Sequence, residues 1–151
     1  MTNISTIYDA YVTICAAQLT TYAKIPNPYN INDNSSVFHR LGFTVAYGSG
    51  SNSNRLLGCQ MSEIREFSVI LVAQITAAIT DFSGFNLIAK NLFEDRYKII
   101  KAIEIHPTLN TGQTSTKWVS DPGIEFLEND KAKYFVLRTL FESEYFENLT
   151  A

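Results

Sequence analysis

The sequence predicts an α+β domain, a mixed or antiparallel sheet covered by two helices with long polar loops and a C-terminal hairpin. Three observations predict it. From Ile4 onward apolar residues recur at the three-and-four spacing of one helix face. Between Phe67 and Ile75 they occupy both parities, the mark of a strand with two buried faces at the centre of a sheet. From Tyr134 to Phe141, Phe135, Leu137, Thr139 and Phe141 alternate with Tyr134, Val136, Arg138 and Leu140, the pattern of the second strand of a closing hairpin. The chain has 151 residues, the size of one domain spanning 1–151, and such a chain buries about two-thirds of its unfolded surface.

The first helix is expected over 4–23, with Ile4, Ile7, Tyr8, Tyr11, Val12, Ile14, Cys15, Leu19 and Tyr22 on its apolar side, Asn3 or Ser5 as cap and Pro26 as terminator. Residues 25–36 carry two prolines, four asparagines and an aspartate, a segment too rich in turn formers to be regular. Ile25, Tyr29 and Ile31 would anchor it, and 37–41 would add a helical turn. Phe43, Val45 and Tyr47 alternate with Thr44 and Ala46, giving a short strand that stops at Gly48-Ser49-Gly50. Residues 48–54, all Gly, Ser or Asn, read as an exposed loop tip. An extended stretch follows over 56–77.

Asp81 or Ser83 caps a second helix reaching Ile103, whose apolar residues Phe85, Ile88, Leu92, Ile99 and Ile103 are to cover the sheet. His106 to Thr116 reads as a second polar loop. Ile124 to Leu127 and Phe135 to Phe141 form the closing hairpin around Glu128-Asn129-Asp130-Lys131, and Glu142 to Glu147 reads as a final helical turn. The expected order is helix, strand, strand, helix, strand, strand.

Composition narrows the function. The net charge of −3 lacks the basic balance from which a nucleic-acid binder gains affinity by counterion release, so specific DNA binding is disfavoured. Charged residues are 18% of the chain, which leaves a surface leaning on Asn, Ser and Thr. Met1 to Thr6 has no secretory signal pattern, and the longest apolar stretch, Phe67 to Ile79, falls short of the roughly 20 residues of a membrane span. A soluble, intracellular chain is expected. Of the two cysteines, Cys15 lies in a helical pattern and Cys59 in a strand-like one; neither has a partner at metal-ligand spacing, and both are expected as buried free thiols.

Candidate chemistry is thin, and no enzyme activity, metal or cofactor is expected. His39 beside Arg40 and His106 before Pro107 lack a second ligand at helical spacing, which favours surface or capping roles. Cys59 has no adjacent helix N-terminus or cation to lower its pKa toward a nucleophile's. The run from Gly48 to Arg55 follows a strand as a phosphate loop does, but it leads into another strand and lacks both the Lys-Ser/Thr ending and the GxGxxG spacing. Glu125, Glu128, Asp130, Glu142, Glu144 and Glu147 form an acidic group read as a solvated face; its functional alternative is a lumen or interface that repels phosphate. Arg55, Arg65 and Arg96 stand beside apolar residues, where an arginine either anchors an interface or lies along the surface.

Ile25-Pro26-Asn27-Pro28-Tyr29, the run Phe38 to Val45, Gly48-Ser49-Gly50 with Asn52, Asn54 and Arg55, and Cys59-Gln60 leading to Arg65 to Val69 together resemble the tail-terminator or neck proteins of tailed bacteriophages. The likeness in element order extends over nearly the whole chain. It implies a homo-oligomeric ring, commonly a hexamer, that caps the completed tail tube, stops its polymerisation and offers a docking surface to the head connector or stopper protein. DNA would pass through the lumen without specific binding, and the protein would reside at the neck of a virion assembled in the host cytoplasm. Candidate interface residues are Gly48, Ser49, Gly50, Asn52, Asn54, Arg55, Arg65, Thr111, Gln113, Trp118, Glu144 and Tyr145. Competing readings are another minor tail, tube or adaptor protein, and a small nucleotide-binding or hydrolase domain using the Gly/Ser run.

Overall fold

A computed structural model describes residues 4–29, 40–55, 60–106, 109, 115–128 and 132–148, without the side chains of 52–55, 60 and 147–148. Helix α1 (Ile4–Gln18) leads to β1 (Ala23–Lys24), then to the long strands β2 (Leu41–Arg55) and β3 (Gln60–Ile75). Helix α2 (Phe82–Ile105) follows, then β4 (Ser115–Ser120), β5 (Ile124–Glu128) and β6 (Lys133–Asn148). The sheet order is β1-β2-β3-β6-β4, with β5 also on β6; among the described residues only the β1–β2 pair is parallel. The α+β class, the mixed sheet and the two covering helices thus match the expectation.

β3 sits between β2 and β6, the central place its two apolar faces demand. On one face Phe43, Val45, Phe67, Val69, Leu71, Leu137 and Phe141 pack under Ile7, Tyr11 and Cys15 of α1 and Leu92, Ile99 and Ile103 of α2. The opposite face carries a smaller cluster in which Ile25 joins Ala46, Ile70, Val72, Tyr134 and Val136. Ile25 is therefore the apolar anchor its loop was expected to have. Each such large side chain removed from water contributes about 1.5–3 kcal/mol, so the helix-covered face dominates the stability.

Several boundaries differ from the sequence reading. α1 ends at Gln18 rather than near Ala23, because Tyr22 N–H closes a turn on Leu19 O (3.0 Å) and Ile25 N–H must reach Phe43 O (2.8 Å) in extended form. The proposed loop tip 48–54 is strand: β2 continues to Arg55, pairing Gly50 with Arg65 and Asn52 with Glu63, with register shifts after Tyr47 and after Asn52. The ladder joins main chain to main chain, so small polar residues take part fully. Glu142 to Glu147 is no helical turn but the end of β6, paired with β3 out to Gln60↔Asn148. Its period of two was present: Phe141, Ser143 and Tyr145 are buried, while Glu144 is exposed.

β4 was not expected as a strand. It lies along β6 at 140–144, and β5 lies along β6 at 133–137, so the two form one sheet edge interrupted at 121–123. Asp121 Oδ1 accepts the Gly123 N–H (3.1 Å), and Gly123 takes φ +88°, which a side chain would resist. α2 begins where expected: Asp81 caps it by accepting Gly84 N–H at 2.9 Å. His106 closes it with its backbone N–H on Ala102 and Ile103 carbonyls. His39, Cys59 and the turn 129–131 lie outside the described residues.

Candidate assembly interface

Strands of 15 or 16 residues exceed the usual five or six and extend about 50 Å at ~3.3 Å per residue. α1, with 15 residues at ~1.5 Å rise, is less than half as long. The far ends of β2, β3 and β6 form a platform onto which Tyr11 of α1 packs, and here most of the candidate residues converge. Gly50, Arg65, Ser143 and Thr116 make one row across four strands, and the next inward-facing row brings Glu63 beside Tyr145.

Most buried polar groups in this platform satisfy one another; Arg65 Nε is buried without a hydrogen-bond partner. Arg65 Nη1 donates to Gly48 O (2.9 Å), and Arg65 Nη2 is ion-paired with Glu63 Oε1. Tyr145 Oη donates to Glu63 Oε2 at 2.8 Å. Tyr11 Oη and Thr116 Oγ1 each share a hydrogen bond with Ser143 Oγ, at 2.8 and 2.7 Å. Burial alone would lower the Arg65 pKa, but hydrogen bonding with Tyr145 and Glu63 more than reverses this and holds it above its ordinary value. Arg65 is thus an internal brace between strands rather than a surface anchor. Gly48 is required by close approach, since a Cβ there would lie 2.8 Å from Glu66 Cβ.

On the sheet face opposite α1 and α2, Glu66 and Glu142 stand opposite each other, and Glu144 follows two residues on along β6. Ser49 Oγ donates to Glu66 (3.1 Å), Ser62 Oγ to Glu144 (3.1 Å), and Lys117 Nζ lies 3.5 Å from Glu142. The acidic group is thus partly a stripe on one sheet face and not only a chain end.

Trp118 lies apart from this cluster, on the outer strand β4, 41% exposed. Asn52, Asn54 and Arg55 contribute strand backbone at the tip of β2, and Thr111 and Gln113 lie outside the described residues. Sequence reasoning missed Glu63, Ser143, Thr116 and the Tyr11 hydroxyl. Glu63 and Arg65, two apart in a strand, share a face by the period of two, and that signal alone was available.

Two other features bear on chemistry. A cavity of about 630 Å³ between the helices and the opposite end of the sheet is lined in part by Tyr22, Arg40, Leu92, Asp95 and Lys98. Asp95 is already engaged there, accepting from Tyr22 Oη (2.7 Å) and from Lys98 Nζ (2.7 Å). Among the described residues no group of three His, Cys, Asp or Glu side chains is placed to hold a metal ion, and no helix is long and apolar enough to cross a membrane. Compared with known proteins, the chain matches no family model and no curated sequence.

Proposed function

We propose that this chain is a structural subunit of a phage tail, forming a ring, hexameric on the reading above, at the head-proximal end. The ring stops tube polymerisation and joins the tail to the head connector or stopper protein. The observation that carries this reading is the platform. Three strands of 15 or 16 residues run far longer than α1, and the inward polar groups toward their far ends are braced by Arg65, Glu63, Tyr145, Ser143 and Tyr11 rather than arranged around a cleft. A braced, extended sheet suits repeated contact with neighbouring rings, which needs shape and rigidity rather than catalysis.

The acidic stripe of Glu66, Glu142 and Glu144 supports the same reading. Facing a lumen, it would repel the phosphates of passing DNA and so allow passage without binding. The reading needs no cofactor.

Two measurements test it. Particle mass in solution, with and without tail tubes, should show a discrete ring; a chain that stays monomeric at high concentration and in the presence of tubes would overturn the proposal. Negative-stain imaging of virions carrying a label on this chain should place it at the neck, whereas label along the tail would favour a tube or minor tail protein.

A further inference from the structure

We infer that neighbouring copies of this chain join head to tail through their sheets, the β4 edge of one copy against the β2 edge of the next, with Trp118 meeting Tyr47. The inference deepens the ring reading and rests on it for closure; the contact itself is argued from four features of the sheet.

First, β2, β3, β6 and β4 alternate in direction, each antiparallel to its neighbour. Four alternating strands leave β4 running opposite to β2. A second copy set alongside in the same orientation therefore presents its β2 antiparallel to the first copy's β4, and the ladder continues without inversion.

Second, Tyr47, Phe67, Phe141 and Trp118 occupy a single row across the four strands. Matching the two ends of that row needs no axial offset between copies. A head-to-tail contact without axial rise meets one condition for a ring, which closes when the rotation between copies also closes, whereas a contact with rise winds into a filament.

Third, the row is exposed where it ends. Tyr47 is 39% and Trp118 41% exposed, while Phe67 and Phe141 between them are fully buried. Continuing the row across copies would cover both aromatic rings, and aromatic residues are those most enriched at such contacts.

Fourth, both end residues direct their backbone N–H groups out of the sheet. Tyr47 N–H is held by Tyr29 Oη at 3.3 Å and Trp118 N–H by Glu104 Oε1 at 3.2 Å, each a long bond to an exposed side chain. Association exchanges these for main-chain bonds between copies, the mode of strand addition. Among the described residues β2 is paired on its outer side only at Gly42 and Phe43, and it carries no charge from Leu41 to Asn54. Charged side chains are a common means of blunting such an edge.

Cysteine cross-linking tests the contact. Directly opposed residues in a hydrogen-bonded antiparallel pair, the kind two outward N–H groups make, lie about 5.5 Å apart at Cα, within disulfide reach. In a Cys59→Ser background, Tyr47→Cys and Trp118→Cys chains mixed and oxidised should give a cross-linked dimer that neither gives alone. The double variant should give a ladder ending at the ring size. Dimers from either single variant alone would overturn the inference, because they report a like-to-like contact. A ring-sized particle with no cross-link would also overturn it while leaving the ring reading intact. A ladder from chains that image away from the neck would overturn the neck assignment and uphold the contact. Val119→Glu, at a residue 43% exposed on β4, should keep the melting temperature and reduce the particle to monomers. A folded Val119→Glu chain that still assembles would count against the contact.

Discussion

Arg96 of α2 is ion-paired with Asp121 at the break between β4 and β5, and its guanidinium carbon lies 5.0 Å from the Phe93 ring centroid and 5.5 Å from that of Trp118. Both charged side chains are 17% exposed. One side chain thereby ties the second helix to the interrupted sheet edge, and Asp121 in turn holds the Gly123 turn.

Removing that tie should cost more than a surface pair would. Arg96→Met leaves Asp121 largely buried without its cation, and about 2 kcal/mol of stability should be lost, below the ~3–5 kcal/mol of a fully buried pair broken on one side. Urea denaturation measures this, and a cycle with Asp121→Asn should give a coupling of about 1–2 kcal/mol. Trp118 is the only tryptophan, so its emission should change with Arg96→Met before any unfolding.

Alkaline pH should destabilise the fold in two stages. Burial pushes the Cys15 thiol up from 9.0 to about 12. Between those values the unfolded chain has released this proton and the folded chain still holds it, so stability falls as pH rises, by up to ~1.4 kcal/mol per pH unit. Burial also raises Tyr11, opposed by its hydrogen bonds to Ser143 and Thr116, and raises Tyr22, reinforced by Asp95. These tyrosines add to the loss above their ordinary value of 10.0. Denaturation midpoints across pH should therefore show no contribution from these groups below about pH 9 and then fall. Cys15→Ala should remove the part that begins first.

Two glycines should respond differently to alanine. At Gly48 the new Cβ meets Glu66 Cβ at 2.8 Å and Glu66 O at 3.0 Å, so Gly48→Ala should cost about 1–3 kcal/mol by overpacking between paired strands. At Gly123 nothing lies within 4 Å, but φ is +88°. Gly123→Ala should cost about 1 kcal/mol from the backbone alone, and Gly123→Asn less, since asparagine tolerates left-handed conformations. Thermal melts of the three variants check the order.

The Asp81 cap offers a cleaner test at the helix start. Asp81→Ala should cost about 1 kcal/mol and Asp81→Ser should recover most of it, because serine also accepts from the N3 amide. If serine fails to recover the loss, the carboxylate acts through its charge rather than as an acceptor.

Legibility followed periodicity. The two-faced run Phe67 to Ile75, the alternation at Phe43 to Tyr47, the strand Phe135 to Phe141 and the apolar faces of both helices all carry period, and each lies where its pattern placed it except that α1 stops short of Leu19 and Tyr22. The Gly/Ser/Asn run over 48–54 carries no such signal, and its composition points to a turn. It is strand because Ile64, Arg65 and Glu63 of β3 lie opposite and supply main-chain partners. At 142–147 the period was present in Ser143 and Tyr145, but five large or acidic residues in a short span read as a helix end. β4 was hidden because its inward residues, Thr116 and Trp118, bracket a lysine rather than an apolar pattern.

Most of the candidate interface was named as a set of residues without its geometry. Gly48, Gly50, Arg65 and Tyr145 do converge, but what joins Arg65 to Tyr145 is Glu63, marked in the sequence only by its spacing of two from Arg65. By itself the sequence determined the class of fold, the centre of the sheet and the helical cover, because burial periodicity is written in local spacing. Only the tertiary structure decided how far the strands run, which residues share a row and which charges face one another. Those depend on main-chain partners far away in the chain, such as Arg65 with Ser143, and hydrogen bonding between backbones is nearly blind to the side chains that a sequence displays.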